Sequence, residues 1–499
     1  MSDRSGLTSV RTKLFYGFGS VAFGVKDNGF QTILMPFYNL VLHLPAPLVG
    51  LAIFIALVVD AFLDPIVGHM SDHLRTRWGR RHPLMYLSAL PVAVSYLLLW
   101  NPPHWSQGAL FIYLIVVAII VRSFITFYEI PSSALIPELT DDYDERTSFA
   151  SYRVLFGWYG GLTMSALAFF VFMRADAAHK VGQLNPIGYS RYGLVAAVVM
   201  FAAILISAAG THRFIPLFRK PEARGMTLLQ YAREMIATLA NRAFLLLLCS
   251  AIFSSLATGL VFALNFYVNT FFWKFNNQQI GILTLSAFVA VLIAFVISPP
   301  ISRALGKKRA VIVMFIFGCL VNSAPLILGL LGVLAAKPSL ALIGFIFLCT
   351  SVGAAFAIGA SIMAISMIAD VVEDSEIRTG RRSEGLFFAG SSFIQKSASG
   401  LGLFASGVVL WAAHFPSDKL PGQIDPHIVW NFGVLYLVSV FALYGISLWI
   451  VAYFPITRDL HEANLQRLAD EAALLSPTIA VDDAVGHEPS DAGATPQKI

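Results

Sequence analysis

The sequence predicts an all-α polytopic membrane protein with twelve transmembrane helices arranged as two six-helix halves. Three observations point there. Of 499 residues, 57% are hydrophobic and only 13% are charged. The mean hydropathy is +0.72. Apolar runs of about 20 residues, enough for a helix to cross roughly 30 Å of hydrocarbon, recur along nearly the whole chain. A soluble chain carries about a quarter charged residues, and at this length it splits into domains joined by polar linkers. The composition therefore excludes a soluble enzyme, a nucleic-acid binder and a disordered protein. The 40 Phe and 37 Gly fit lipid-facing bulk combined with close helix contacts.

In chain order, the first run, 15–41, contains Gly17, Gly19 and Gly24 and the adjacent charges Lys26 and Asp27. Those glycines lack the strand–turn–helix setting of a dinucleotide fingerprint. The second, 46–70, carries Asp60, Asp64 and Pro65, and the third, 83–101, ends at an interfacial Trp100. The fourth, 108–137, holds Arg122 and Glu129; Arg153 opens the fifth, 152–173; the sixth is 192–211. The second half repeats the count with 244–273, 279–302, 310–333, 339–368, 385–413 and 429–454, and Lys396 lies midway along the eleventh. The polar start, Met1 to Lys13, has no short apolar stretch ending in a cleavage site, so the first run is expected to be retained. Cys249, Cys319 and Cys349 sit in apolar runs without metal-ligand spacing and read as small buried hydrophobes.

The domain reading follows: a first half at 1–211, a central loop at 212–243, a second half at 244–456 and a polar tail at 457–499. Within the loop, Thr227 to Asn241 has helical periodicity and is expected to lie along the membrane surface. Each half has a basic connection after its second span, Ser71–His82 and Arg303–Arg309, which hints at an internal repeat. An even number of spans puts both termini on one side. The tails and the loops on that side hold 24 Lys and Arg against 6 on the other, with four inside spans. The termini are therefore expected in the cytoplasm, with the chain in the plasma (inner) membrane. The net charge of +5 reads as a topology signal.

Ionisable groups inside spans cost roughly 2.5–3.5 kcal/mol each on insertion scales, so they mark function or essential pairing. Asp60 and Asp64, four apart, share a helix face. They can hold one proton between them or jointly ligate a cation, a metal site only if the ion is Na⁺; alternatively each pairs with Lys26, Arg122 or Arg153 to hold helices together. Pro65 is expected to kink the helix and free a carbonyl. Lys26 and Asp27 point about 100° apart and are expected to meet different partners, either in a polar solute site or in a structural pair with Glu129 or Arg153. Glu129 with Arg153 invites the same two readings, and the Arg fork suits a sugar hydroxyl or a carboxylate. Lys396, the lone base of its span, is expected to meet a first-half acid across the cavity.

The stretch Val59-Asp60-Ala61-Phe62-Leu63-Asp64-Pro65-Ile66-Val67-Gly68, followed by Arg75-Thr76-Arg77-Trp78-Gly79-Arg80-Arg81, resembles the glycoside–pentoside–hexuronide:cation symporters of the major facilitator superfamily. Tyr16-Gly17-Phe18-Gly19, Thr126 through Pro131, Glu145-Arg146-Thr147, Arg153 and Lys396 extend the resemblance across all twelve spans. It implies the major facilitator fold and cation-coupled solute symport. The implied cation site is Asp60, Asp64 and Thr126, and the implied sugar site involves Lys26, Asp27, Glu129, Arg153 and Lys396. Three positions depart from the family pattern. Leu63 stands where sodium-coupled members carry Asn, which removes a hard ligand. Glu129 stands for a frequent Asp, and Ser133 for an aromatic that stacks on the sugar.

The expected function is secondary active transport of a sugar or glycoside by alternating access. The coupling ion is H⁺ or Na⁺, no cofactor is implied, and a single chain is expected to suffice. An amphiphile such as a lysolipid on the same fold is the alternative. An enzyme would need a nucleophile–base or metal arrangement at one depth, and a sensor an appended signalling domain; the sequence offers neither. Arg146 is expected to close a cytoplasmic gate with Asp370, Glu373 and Glu376.

Overall fold

The computed structural model describes residues 8–140, 142–176, 179–217, 241–335, 337–379 and 384–455. The expected surface helix, Thr227 to Asn241, lies outside them except for Asn241, and so does the polar tail. Among the described residues, eleven helices are long and apolar enough to span a membrane. The first expected span is also present, but interrupted. It runs through α-helical Val10–Phe18 and Ser20–Asn28, then π-helical Gly29–Ile33, Leu34–Pro36 and π-helical Phe37–Val41. A π-turn widens the backbone and is common at functional positions; here it begins at Gly29, two residues after Asp27.

The other spans follow in the expected order, with shifted ends. The second is Ala46–His73, unbroken through Pro65. The third is His82–Leu99 and the fourth Gln107–Ser133. The fifth starts at Tyr143, capped by the Asp142 side chain, and continues to Phe172. Arg153 is therefore nearly three turns inside it, where it had been expected to open the span. The polar run 143–151 obscured this in the sequence, because a helix protruding from the membrane needs no apolar residues. The sixth is Pro186–His212 and the seventh Arg242–Tyr267, extended by a π-turn to Phe272. The eighth runs Asn277–Thr284 and Ser286–Leu305. It passes to Lys307–Leu330, the ninth, through Gly306 alone, whose φ of +74° suits glycine. Leu340–Thr379, Glu384–Ala412 and Pro426–Ala452 complete the chain.

Two sets of glycine contacts fix how the site is assembled. Within the first half, a Cβ on Gly24 would lie 1.9 Å from the Gly157 carbonyl oxygen, and one on Gly161 2.5 Å from that of Gly24. The first and fifth spans therefore touch backbone to backbone, which sets Arg153 beside the first span. Between the halves, a Cβ on Gly50 would lie 2.8 Å from the Leu403 carbonyl oxygen, and one on Gly407 2.5 Å from that of Ala46. This seam of small residues joins the second span to the eleventh and aligns Lys396 with the acids opposite. The halves also join at the end away from the termini, where the Tyr267 hydroxyl donates to Asn39 Oδ1 at 2.7 Å and Gln183 Nε2 to the Phe275 carbonyl at 3.0 Å, all four residues buried. At the terminal end of the first half, Glu138 accepts from Arg80 and Arg81 at 2.9 and 3.1 Å, while Arg81 also pairs with Asp72 at 2.6 Å.

Candidate functional site

Four spans bring a buried network together around the second-span acids. Asp60, with a side chain 1% exposed, accepts from Arg122 Nη2 at 2.8 Å on one oxygen and from the Thr126 hydroxyl at 2.7 Å on the other. Arg122 and Thr126 are four apart on the fourth span, so one helix face presents both to one carboxylate. The Arg122 guanidinium also lies over the Phe30 ring of the first span, 5.4 Å from its centroid. Asp64, one turn on and 22% exposed, pairs with Lys396 Nζ at 2.6 Å; the same ammonium is 3.5 Å from Asp60. Lys396 thus meets first-half acids across the interface, as expected of it.

The first-span charges behave differently from expectation. Lys26 and Asp27 were expected to seek separate partners, yet Lys26 Nζ lies 2.8 Å from Asp27 Oδ1. A lysine stem of four methylenes spans the 100° between neighbouring helical positions. Lys26 also approaches the Glu129 carboxylate at 3.8 Å, so it bridges two acids while only 2% exposed. Arg153 meets Glu129 through the main chain: its Nη2 donates to the Glu129 carbonyl at 3.1 Å and its Nη1 to the Ser132 hydroxyl at 2.8 Å. Its guanidinium packs on Phe23, 4.8 Å from the ring centroid. Ser133 turns back to the Ile130 carbonyl of its own helix at 2.8 Å. Asn28 and Ser165 are hydrogen-bonded beside this group.

The array therefore contains four acids, Asp27, Asp60, Asp64 and Glu129, and four bases, Lys26, Arg122, Arg153 and Lys396. It balances internally, and its edge, Asp27, is 43% exposed. Such a site can exchange one internal partner for an external one at low electrostatic cost, which a solute or ion site requires.

A second polar region was not singled out from the sequence. A cavity of about 110 Å³ between the halves is lined by Thr32 of the first span and by Asn265, Asn269, Asn322, Thr350 and Tyr436 of the second half. Asn269 Nδ2 donates to Asn265 Oδ1 at 2.7 Å. Neutral amides add no charge to a span, so ionisable residues alone do not point to them. The i, i+4 spacing of Asn265 and Asn269 inside an apolar run was the available signal.

Of the residues expected to form a gate, Arg146 donates from Nε to the Thr140 carbonyl at 3.0 Å, and Asp370 pairs with Lys307 at 2.5 Å. The side chains of Glu373 and Glu376 lie outside the described residues.

Two helical halves around a buried, charge-balanced array define a membrane transporter of the major facilitator architecture. The solved structure of the nucleoside transporter NupG shares that fold, with a TM-score of 0.61 and 13% identity over 89% of this chain and 99% of that one. The chain belongs to the MFS/sugar transport protein family, whose model matches residues 15–458. It is 28% identical to an uncharacterized symporter of Synechocystis, over 92% of this chain and 96% of the relative. It is 26% identical to the isoprimeverose transporter of Lactiplantibacillus pentosus, over 86% of each. It is also 24% identical to the sodium-dependent lysophosphatidylcholine symporter 1 of Homo sapiens, over 85% of this chain and 80% of the relative.

Proposed function

We propose that this integral membrane protein is a cation-coupled symporter that carries a sugar or glycoside by alternating access. The single observation carrying the reading is the Lys396–Asp64 pair at 2.6 Å, which ties the eleventh span of one half to the second span of the other. An ion arriving at Asp64 competes with Lys396 for the carboxylate. Once displaced, Lys396 is free to turn toward Glu129 or a bound solute, and the tie between the halves is released. Loading the ion alone leaves an unmatched charge in a low-dielectric site, which opposes reorientation; solute binding at Asp27, Lys26, Glu129 and Arg153 compensates for it. Ion and solute then cross together.

The donors and acceptors suit a polyhydroxylated solute: Asp27 is accessible, Arg153 offers a planar fork, and the separate cavity at Asn265, Asn269 and Asn322 offers neutral amides in the second half. The isoprimeverose transporter among the relatives supports a glycoside. The lysophosphatidylcholine symporter favours an amphiphile as the second reading. We place both termini in the cytoplasm of a plasma (inner) membrane, assign Arg146 with Asp370 and Glu373 to the cytoplasmic gate, and take the single chain, with no enzymatic step, as the working unit. Proteoliposomes with imposed pH or Na⁺ gradients, supplied with radiolabelled isoprimeverose, other glycosides or lysophosphatidylcholine, test the reading. Gradient-driven accumulation of a glycoside is expected. Accumulation of the lysolipid alone would establish the second reading, and no gradient dependence for any solute would refute symport.

A further inference from the structure

We propose that Arg122 is a tethered counter-cation: it holds on Asp60 the place an inorganic ion would take, so the chain does not use Na⁺. The inference rests on the symport reading and specifies its ion selectivity. A hard cation such as Na⁺ needs several oxygen ligands with available lone pairs and negative charge. Asp60 has little of either to spare. Its two oxygens are engaged by the guanidinium at 2.8 Å and the Thr126 hydroxyl at 2.7 Å, the ammonium of Lys396 stands 3.5 Å away, and the carboxylate is 1% exposed.

Arg122 cannot vacate the position by losing a proton, and it is held at 3% exposure, seated on Phe30. Asp64 alone does not make up the deficit. The Thr126 hydroxyl is 3.5 Å from it and already bonded to Asp60, and the Leu63 side chain supplies no oxygen. The charges around Asp64 are Asp60 on its own span, Arg122 and Glu129 on the fourth, Lys26 and Asp27 on the first, Arg153 on the fifth and Lys396 on the eleventh. With Asp64 itself counted, four acids meet four bases, so no net negative field remains to draw in a metal ion. Replacing the guanidinium by a neutral amide returns one negative charge and one carboxylate oxygen to the site, and adds a side-chain oxygen beside it.

Equilibrium binding of ²²Na⁺ to the purified full-length chain, by scintillation proximity, tests this without knowledge of the solute. The wild type is expected at background. Arg122→Gln is expected to gain saturable binding of about one Na⁺ per chain, competed by unlabelled NaCl and not by choline chloride, and abolished by adding Asp60→Asn. Saturable ²²Na⁺ binding by the wild type that Asp60→Asn removes would overturn the proposal, as would a monodisperse Arg122→Gln protein that stays at background. If Arg122→Gln does not remain monodisperse, Arg122→Ser takes its place, and the wild-type measurement decides unaided. Failure of the symport reading gives a different result: absence of gradient-driven uptake in the vesicle assay, whatever ²²Na⁺ does.

Discussion

Removing one partner from each of the two ion pairs at the centre of the array should have very different consequences for stability. In Arg122→Leu, Asp60 is left as a carboxylate 1% exposed, with only the Thr126 hydroxyl and an ammonium at 3.5 Å in compensation. Breaking a buried pair from one side costs about 3–5 kcal/mol, because the remaining charge stays desolvated. The nearby Lys396 offsets part of this, so the lower end, about 3 kcal/mol, is expected. Adding Asp60→Asn removes the stranded charge and should restore about 2 kcal/mol of that loss, a coupling within the range measured for residues in direct contact. Lys396→Met breaks a pair whose members are 25% and 22% exposed. Water solvates the orphaned Asp64, and a cost of about 1 kcal/mol or less is expected. The assay is thermal unfolding of the four detergent-purified proteins by intrinsic Trp fluorescence, checked by size-exclusion chromatography. At about 2–4 °C per kcal/mol for a unit the size of one half, Arg122→Leu should unfold several degrees below Lys396→Met. Equal losses for the two single variants, or no recovery in the double variant, would refute the division into a fixed pair and an exchangeable one.

Three further outcomes are expected. Gly24→Val drives a side chain into the Gly157 carbonyl, where even a Cβ would sit at 1.9 Å. It should cost about 1–3 kcal/mol or more by overpacking, read as a lower unfolding temperature, whereas Gly108→Ala, in open space, should not. Arg153→Lys keeps the charge but loses the paired contacts to Ser132 and the Glu129 carbonyl; the half-saturating solute concentration should rise about tenfold, on the order of 1.4 kcal/mol, with unfolding temperature little changed. Arg146→Ala should weaken the cytoplasmic closure and favour the state open to that side. A reporter cysteine introduced as Thr32→Cys, in the cavity remote from the termini, should then react more slowly with a membrane-impermeant maleimide added outside; an unchanged rate would count against the gate.

The architecture was legible because lipid imposes one rule along the whole chain: an apolar run long enough to cross must be helical. That rule places all twelve crossings, and it misplaces ends where a helix leaves the membrane. The fifth span begins at Tyr143 because nothing outside the bilayer requires its first turns to be apolar. The acids were legible for the complementary reason that each is costly where it sits. Their partners were less so. Whether Asp60 meets Arg122, Lys26 or Lys396 depends on which helices touch, and that depends on glycines such as Gly24, Gly157, Gly50 and Gly407, whose contacts lie between distant parts of the chain. The Lys26–Asp27 contact was misjudged by treating a side chain as a fixed spoke, and the amide-lined cavity was missed because hydrogen-bonding capacity without charge leaves little trace in hydropathy.

The Gly50 and Gly407 seam between the second and eleventh spans has a consequence for how conformations are populated. At these glycines the two backbones meet without interlocking side chains, so parting them there frees little rotamer entropy, and the specific bonds of the seam are left to the Lys396 pair. Added bulk there acts as a wedge against the arrangement seen in this structure. A graded series from Ala to Leu at either position would work as a dial on the equilibrium between the two orientations of the carrier, set from a surface that touches neither ion nor solute.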